Sequence, residues 1–141
     1  MSRMLINAQI NLIREAIKSY VTDPGDYENP YFWIYIDLGT NTGKTDRVAP
    51  YFVLEANSMF DPSEILYIAC TQKSVDLFQS NNDVKGVHVL MYDKCADNIS
   101  RLQHNAVVVL DDYSYLEQRP DLKDLILEKC LLRNAKVLAL G

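Results

Sequence analysis

The chain has 141 residues, a formal net charge of −5, and 48% hydrophobic against 23% charged residues. That length suits one domain able to bury about two thirds of its unfolded surface without covalent staples, and the balance excludes a disordered or collagen-like chain. The acidic charge argues against a free-standing, non-specific nucleic-acid binder, whose affinity comes mainly from cations on phosphates.

Ile6, Ile10, Ile13, Ile17 and Tyr20 recur at the spacing of one helical face and predict an amphipathic helix over 4–21. Arg3, Arg14, Glu15 and Lys18 interrupt the apolar positions of this segment, so it reads neither as a secretory signal nor as a membrane span. A cytoplasmic protein, in a cell or an infected host, with no membrane partner is the expectation. Asp23-Pro24-Gly25-Asp26 and Asn29-Pro30 are turn formers that cannot continue a helix. Residues 1–30 therefore read as a helix and connecting loop, and 31–141 as the core of a single domain or the N-terminal part of a larger machine.

Five short apolar runs follow: Tyr31–Asp37, Ile65–Cys70, Val87–Tyr92, Ala106–Leu110 and Lys136–Leu140. Their Val, Ile, Leu and Tyr content is that of strands covered on both faces. Between them lie helix-compatible segments at Thr71–Ser80, with Thr71 as a cap, at Ala96–Gln103 and at Asp121–Arg133. The last carries the stripe Leu122, Leu125, Ile126, Lys129 and Leu132. The alternation predicts an α/β fold, a three-layer sandwich around a mainly parallel five-stranded sheet.

The first strand runs into Leu38-Gly39-Thr40-Asn41-Thr42-Gly43-Lys44-Thr45. Phosphate cradling needs a strand that ends abruptly, inward backbone N–H groups and a helix N-terminus facing the anion. Gly43 permits close backbone approach, Lys44 is suited to the β- and γ-phosphates, and the Thr45 hydroxyl suits Mg²⁺. The match to the Walker A pattern is imperfect, because Leu38 stands where its first glycine belongs and Gly39 comes one residue late. Pro50 is expected to kink or end the next helix early. A Gly-Lys-Thr tripeptide also occurs by chance at ordinary strand–helix turns.

A second feature adds weight to the first. Ala106-Val107-Val108-Val109-Leu110-Asp111-Asp112 is an apolar strand ending in two carboxylates, the Walker B pattern. Asp111 is placed to hold the hydrated Mg²⁺ that bridges the phosphates, and Asp112 to orient or deprotonate the attacking water. Taken alone, Asp111-Asp112-Tyr113-Ser114 also reads as a solvated turn.

With both motifs present, the chain resembles the additional-strand P-loop NTPases. The two strands at Ile65–Cys70 and Val87–Tyr92, between the motifs in sequence, accord with an extra strand between the motif strands. Ile65–Gln72 looks like the strand and turn that follow Walker A in helicases and viral DNA-packaging terminases, and the Asp pair is also similar to superfamily 3 helicases and AAA+-type ATPases. Lys136–Gly141 is similar to the strand whose end senses the γ-phosphate. The resemblance implies ATP and Mg²⁺ as ligands, Gly39, Thr40, Asn41, Thr42, Gly43, Lys44 and Thr45 around the phosphates, Thr45 and Asp111 on the metal, and Lys44 and Asp112 in catalysis. It also implies nucleic acid reached through a larger assembly, and an arginine from a further domain or a second copy. Arg101, Arg119 and Arg133 are the candidates within this chain, each read first as a surface residue.

Cys70, Cys95 and Cys130 lack zinc or redox spacing and read as buried free thiols. Tyr31, Phe32, Trp33 and Tyr35 read as core more than as a base-stacking platform, and neither His88 nor His104 has a partner at ligand spacing. Two functions fit: an ATPase driving nucleic-acid movement or assembly remodelling, and a non-catalytic interaction module that keeps the fold after losing hydrolysis. A small-molecule kinase fits less well, for want of an arginine-rich lid.

Overall fold

A computed structural model describes residues 15, 32–36, 48–57, 60–99, 102–103, 106–133 and 135–141. Of the predicted N-terminal helix only Glu15 is among them, and it is helical. The strands are β1 (Phe32–Ile36), β2 (Ile65–Ala69), β3 (His88–Met91), β4 (Val107–Leu110) and β5 (Lys136–Leu140). The helices are α1 (Ala49–Ala56), α2 (Gln72–Gln79), α3 (Cys95–Asn98), α4 (Tyr113–Glu117) and α5 (Pro120–Leu132).

All five strands pair in parallel, in the order β1-β5-β4-β2-β3. Side chains of a strand alternate between faces, so each strand feeds two cores. Ile65, Tyr67 and Ala69 of β2 join Val107, Val109, Leu138 and Leu140 against Phe52 and Val53 of α1 and Val75 and Phe78 of α2. Ile68, Val108, Leu110, Val137 and Ala139 face the other way, onto Cys95 of α3, Leu116 of α4 and Ile126 and Cys130 of α5. The result is a three-layer α/β sandwich. The chain moves outward from β1 through β2 to β3 with its helices on one face, then returns through β4 to β5 with them on the other. Crossovers of a single hand require that change of face when the direction reverses.

Local chemistry sets the ends of the elements. Thr71 caps α2 as expected, its hydroxyl oxygen accepting from the Ser74 N–H at 3.1 Å. Pro50 does not end its helix early; it sits in the first turn of α1, where a missing N–H costs little, and the helix continues to Ala56. Of the segment predicted as a helix over Ala96–Gln103, Ala96–Asn98 belong to α3, and the Leu102 N–H donates to the Ile99 carbonyl at 3.0 Å. Ile99 and Leu102 both belong to the core.

Helix α5 packs through part of the predicted stripe, Leu122 and Ile126, together with Leu127 and Cys130 outside it. Ile126 and Cys130 are buried, whereas Leu125 is 39% exposed and Leu132 65% exposed. Leucines surround this helix, so the apolar period has no unique face and packing chooses the one that meets Leu116 and Val137. Truncation of Ile126 to alanine is expected to cost about 2–5 kcal/mol, and Leu132→Ala to stay within about 0.5 kcal/mol. Urea denaturation of the two variants separates the observed orientation from the predicted one.

Candidate functional site

β2 sends its chain to the α1–α2 face, and its neighbour β4 sends its chain to the opposite face. A crevice opens at the carboxyl ends of adjacent strands that diverge in this way, and in open α/β sheets it is where ligands bind. The corresponding place here is the pair of turns Ala69-Cys70-Thr71 and Leu110-Asp111-Asp112, which the side chains of Cys70 and Ser74 join at Asp112. The expected acid pair is therefore at a topological switch point.

Asp111 is fully buried. Its N–H extends the β4–β2 ladder by donating to the Ile68 carbonyl at 2.8 Å. The Tyr67 hydroxyl donates to its Oδ2 at 2.5 Å, and the Asp112 N–H donates to its Oδ1 at 2.8 Å. The Tyr67 ring is held flat against Phe78 of α2, with centroids 3.8 Å apart and planes 5° from parallel. On the other face the Tyr92 hydroxyl donates to the Asp111 carbonyl at 2.5 Å. Burial raises the Tyr92 phenol well above its ordinary pKa, and the negative charges of Asp111 and Asp112 push it further in the same direction. Tyr92 therefore stays a donor throughout the physiological range.

Asp112 has φ 51° and ψ 48°, the left-handed region, and is the one non-glycine residue with positive φ among those described. Aspartate tolerates this conformation at a cost of about 1 kcal/mol. The Asp112 N–H lies back on Asp111, and the bend lets the Asp112 carbonyl accept from the Tyr115 N–H at 2.9 Å as α4 begins. Its carboxylate Oδ2 accepts from the Ser74 hydroxyl at 3.2 Å and from the Cys70 thiol at 3.6 Å.

Lys44 and the loop Gly39, Thr40, Asn41, Thr42, Gly43 and Thr45 lie outside the described residues, as do Arg101 and His104. The loop's position along the sheet is bounded by its strand. Ile36 is level with Leu140, and Leu110 with Ala139, so Asp111 reaches the level of Ile36 two strands away, about 9.5 Å across the sheet. The strand between β1 and β4 in space is β5. The two strands between the motifs in sequence, β2 and β3, lie on the far side of β4, so the acid pair is not immediately beside the end of β1.

Among the described residues no group of three His, Cys, Asp or Glu side chains is placed to hold a metal ion, and no helix is long and apolar enough to cross a membrane. His88 is exposed on the edge strand β3. Arg119 is engaged locally, with Nη1 donating to the Tyr115 hydroxyl at 2.9 Å and its guanidinium 5.7 Å from that ring's centroid. Tyr35 is not core: it is 43% exposed, its ring lies 5.3 Å from that of Tyr113, and a Cβ at Gly141 would collide with its hydroxyl. Tyr67 and Ser74 are site residues that motif reading does not find. The one signal for Tyr67 is a phenol in a wholly apolar strand, which demands a polar partner. Comparison of the chain with protein-family models, curated proteins and solved structures finds no match.

Two measurements test this geometry. Tyr67→Phe removes a donor from a buried carboxylate and is expected to cost about 1–3 kcal/mol in urea denaturation. Cys95 and Cys130 are buried, and that burial pushes their thiols up to about 12, so both stay protonated at pH 8. Cys70 is only half-buried. A disulfide reagent at pH 8 is expected to modify Cys70 first and to reach the other two only on unfolding; three equally fast thiols would contradict the packing.

Proposed function

We propose that the chain is an Mg²⁺-dependent ATP-binding and ATP-hydrolysing domain of the additional-strand P-loop kind, serving a nucleic-acid motor of helicase or viral DNA-packaging type. The observation that supports it best is the strand order: one parallel strand, β5, separates the strand leading into Gly39–Thr45 from the strand ending in Asp111–Asp112, and all carboxyl ends share one edge. The assignment to a motor draws on the sequence resemblance.

In this reading the backbone of Gly39–Gly43 and the Lys44 ammonium hold the β- and γ-phosphates. Mg²⁺, when bound, neutralises charge on those phosphates, with Thr45 and Asp111 as its protein ligands. Asp111 fits this task. Its carboxylate stands at the carboxyl end of β4, held in place by the Tyr67 hydroxyl and the Asp112 N–H. Mg²⁺ needs few protein ligands because it keeps several waters, so a three-carboxylate cage is not expected. Asp112 orients water for in-line attack: an oxygen–phosphorus bond forms at the γ-phosphate, the bond to the bridging oxygen breaks, and the water's proton passes to the Asp112 carboxylate. ADP and phosphate leave.

Leu38, in the place of the first loop glycine, favours the second reading, a module that keeps the fold without turnover. Isothermal titration and a phosphate-release assay decide between them. The wild-type domain is expected to gain about 2.7 kcal/mol of stability at ~100 times the dissociation constant for ATP–Mg²⁺. Lys44→Ala is expected to lose binding, while Asp112→Asn keeps binding and loses turnover. A wild-type domain indifferent to millimolar ATP–Mg²⁺ rejects the ATPase reading.

A further inference from the structure

β3 ends the sheet: it pairs with β2 on one side and, among the described residues, with no strand on the other. A strand paired on one side leaves the N–H and C=O of every second residue facing outward. Among the described residues no backbone group bonds to that outer side, and the one further hydrogen bond to β3 is the weak one from the Cys95 thiol to the Met91 carbonyl, at 3.7 Å. Natural sheets blunt such an edge with lysine, proline or a bulge. His88-Val89-Leu90-Met91 has none of these, its register against β2 is unbroken, and only its shortness restrains it.

A cleft of about 340 Å³ lies beside this edge. It spans the amino ends of β4, β2 and β3, at the opposite edge of the sheet from Asp111 and Asp112. Leu66, Leu90, Leu102 and Ala106 give it an apolar lining, and Leu66 and Leu90 are only partly covered by the core beneath them. Among the described residues that line it, Glu64 is the one with a formal charge. The Glu64 Oε1 accepts from the Asp61 N–H at 3.0 Å, which holds the side chain to the turn ahead of β2.

The alternating donors and acceptors of a strand edge are matched by another extended backbone. In a strand added beside β3, every second side chain falls on the face shared by His88 and Leu90. The apolar lining suits a large apolar group there, and Glu64 suits a cation two residues from it. We propose that β3 and this cleft form a docking groove for an extended peptide of another protein, which adds a sixth strand to the sheet with an apolar side chain in the cleft and a lysine or arginine at Glu64. Main-chain bonds supply affinity in this mode, and the pocket for alternate side chains supplies specificity. The net charge of −5 favours the approach of a basic peptide. A second copy would offer its own β3, which carries no lysine or arginine for Glu64. The groove is independent of the nucleotide reading and stands if that reading fails.

Two end-capped, fluorescein-labelled heptapeptides test it against the full chain by fluorescence anisotropy. Both are threonine, a strand former, with phenylalanine and lysine two residues apart, in one order and in the reverse, because a strand adds in either direction. One order is expected to bind, and a control with the two residues adjacent, hence on opposite faces, to bind about tenfold more weakly. N-methylation of one alternate set of peptide nitrogens is expected to weaken binding about tenfold or more, and methylation of the other set to leave it unchanged. Glu64→Gln keeps an acceptor for the Asp61 N–H, so the thermal midpoint is expected to hold while the lysine peptide binds about two- to fivefold more weakly. A peptide with norleucine for lysine is expected to bind the wild type and Glu64→Gln alike. Failure of both orders to bind at millimolar concentration, equal effects of the two methylation patterns, or an unchanged affinity of Glu64→Gln for the lysine peptide overturns the proposal. A wild-type dimer in sedimentation velocity that excludes both peptides gives the edge to a second copy and overturns it as well.

Discussion

Removing a carboxylate from water costs several kcal/mol unless donors replace the lost solvation, and at the carboxyl edge of this sheet the donors to Asp111 come from separate parts of the chain. Tyr67 reaches it from β2, and the N–H of Asp112 turns back on it from the next residue. The Tyr92 hydroxyl, just past β3, holds its carbonyl, while its own N–H is spent on Ile68. Three adjacent strand ends are thereby tied to one residue. Because Tyr67 is also stacked on Phe78, the tie extends into the packing of α2. The acid pair is held by the core of the protein, and a site held that way keeps its geometry better than one built on loops alone.

The strand order explains why such a residue sits where it does. β2 and β4 are neighbours whose chains leave toward opposite layers, so among the described residues no connection crosses directly from one of these two carboxyl ends to the other. Polar groups collect there because the backbone must turn there. Asp111, Asp112, Cys70, Thr71 and Ser74 all belong to the first turns after these two strands. A fold that reversed direction elsewhere would separate the two turns and leave Asp112 without its donors.

The five strands are legible in the sequence because each is a short apolar run between turn formers, and their observed ends differ from the expected ones by one residue at most. The α2 cap is equally legible, since Thr71 stands directly before the helical pattern. Strand order is not: five runs of similar composition and double-sided burial give no local sign of which neighbours pair. Helix α4 is hidden for another reason, being five residues whose start depends on the left-handed turn at Asp112. The exposed side of α5 is hidden because leucine occurs all around it. At the site, a strand-end position alone picks out Asp111 and Asp112. Tyr67 and Ser74 meet them across 44 and 38 residues, a contact that only the folded sheet creates.

That geometry also bears on the identity of the second acid, Asp112, which takes up the left-handed bend. Aspartate is among the few non-glycine residues that enter the left-handed region readily, because its short polar side chain finds local partners. Glutamate lacks that ease. The bend at Asp112 sends its carbonyl to the Tyr115 N–H as α4 begins, so the backbone that starts this helix restricts the choice of the second acid. With the backbone bent, the short side chain already meets Ser74 at 3.2 Å and Cys70 at 3.6 Å. A glutamate would carry its carboxylate one methylene past both donors. The second acid thus meets two constraints, the left-handed bend from which α4 starts and the hydroxyl of the β2–α2 turn, and aspartate suits both.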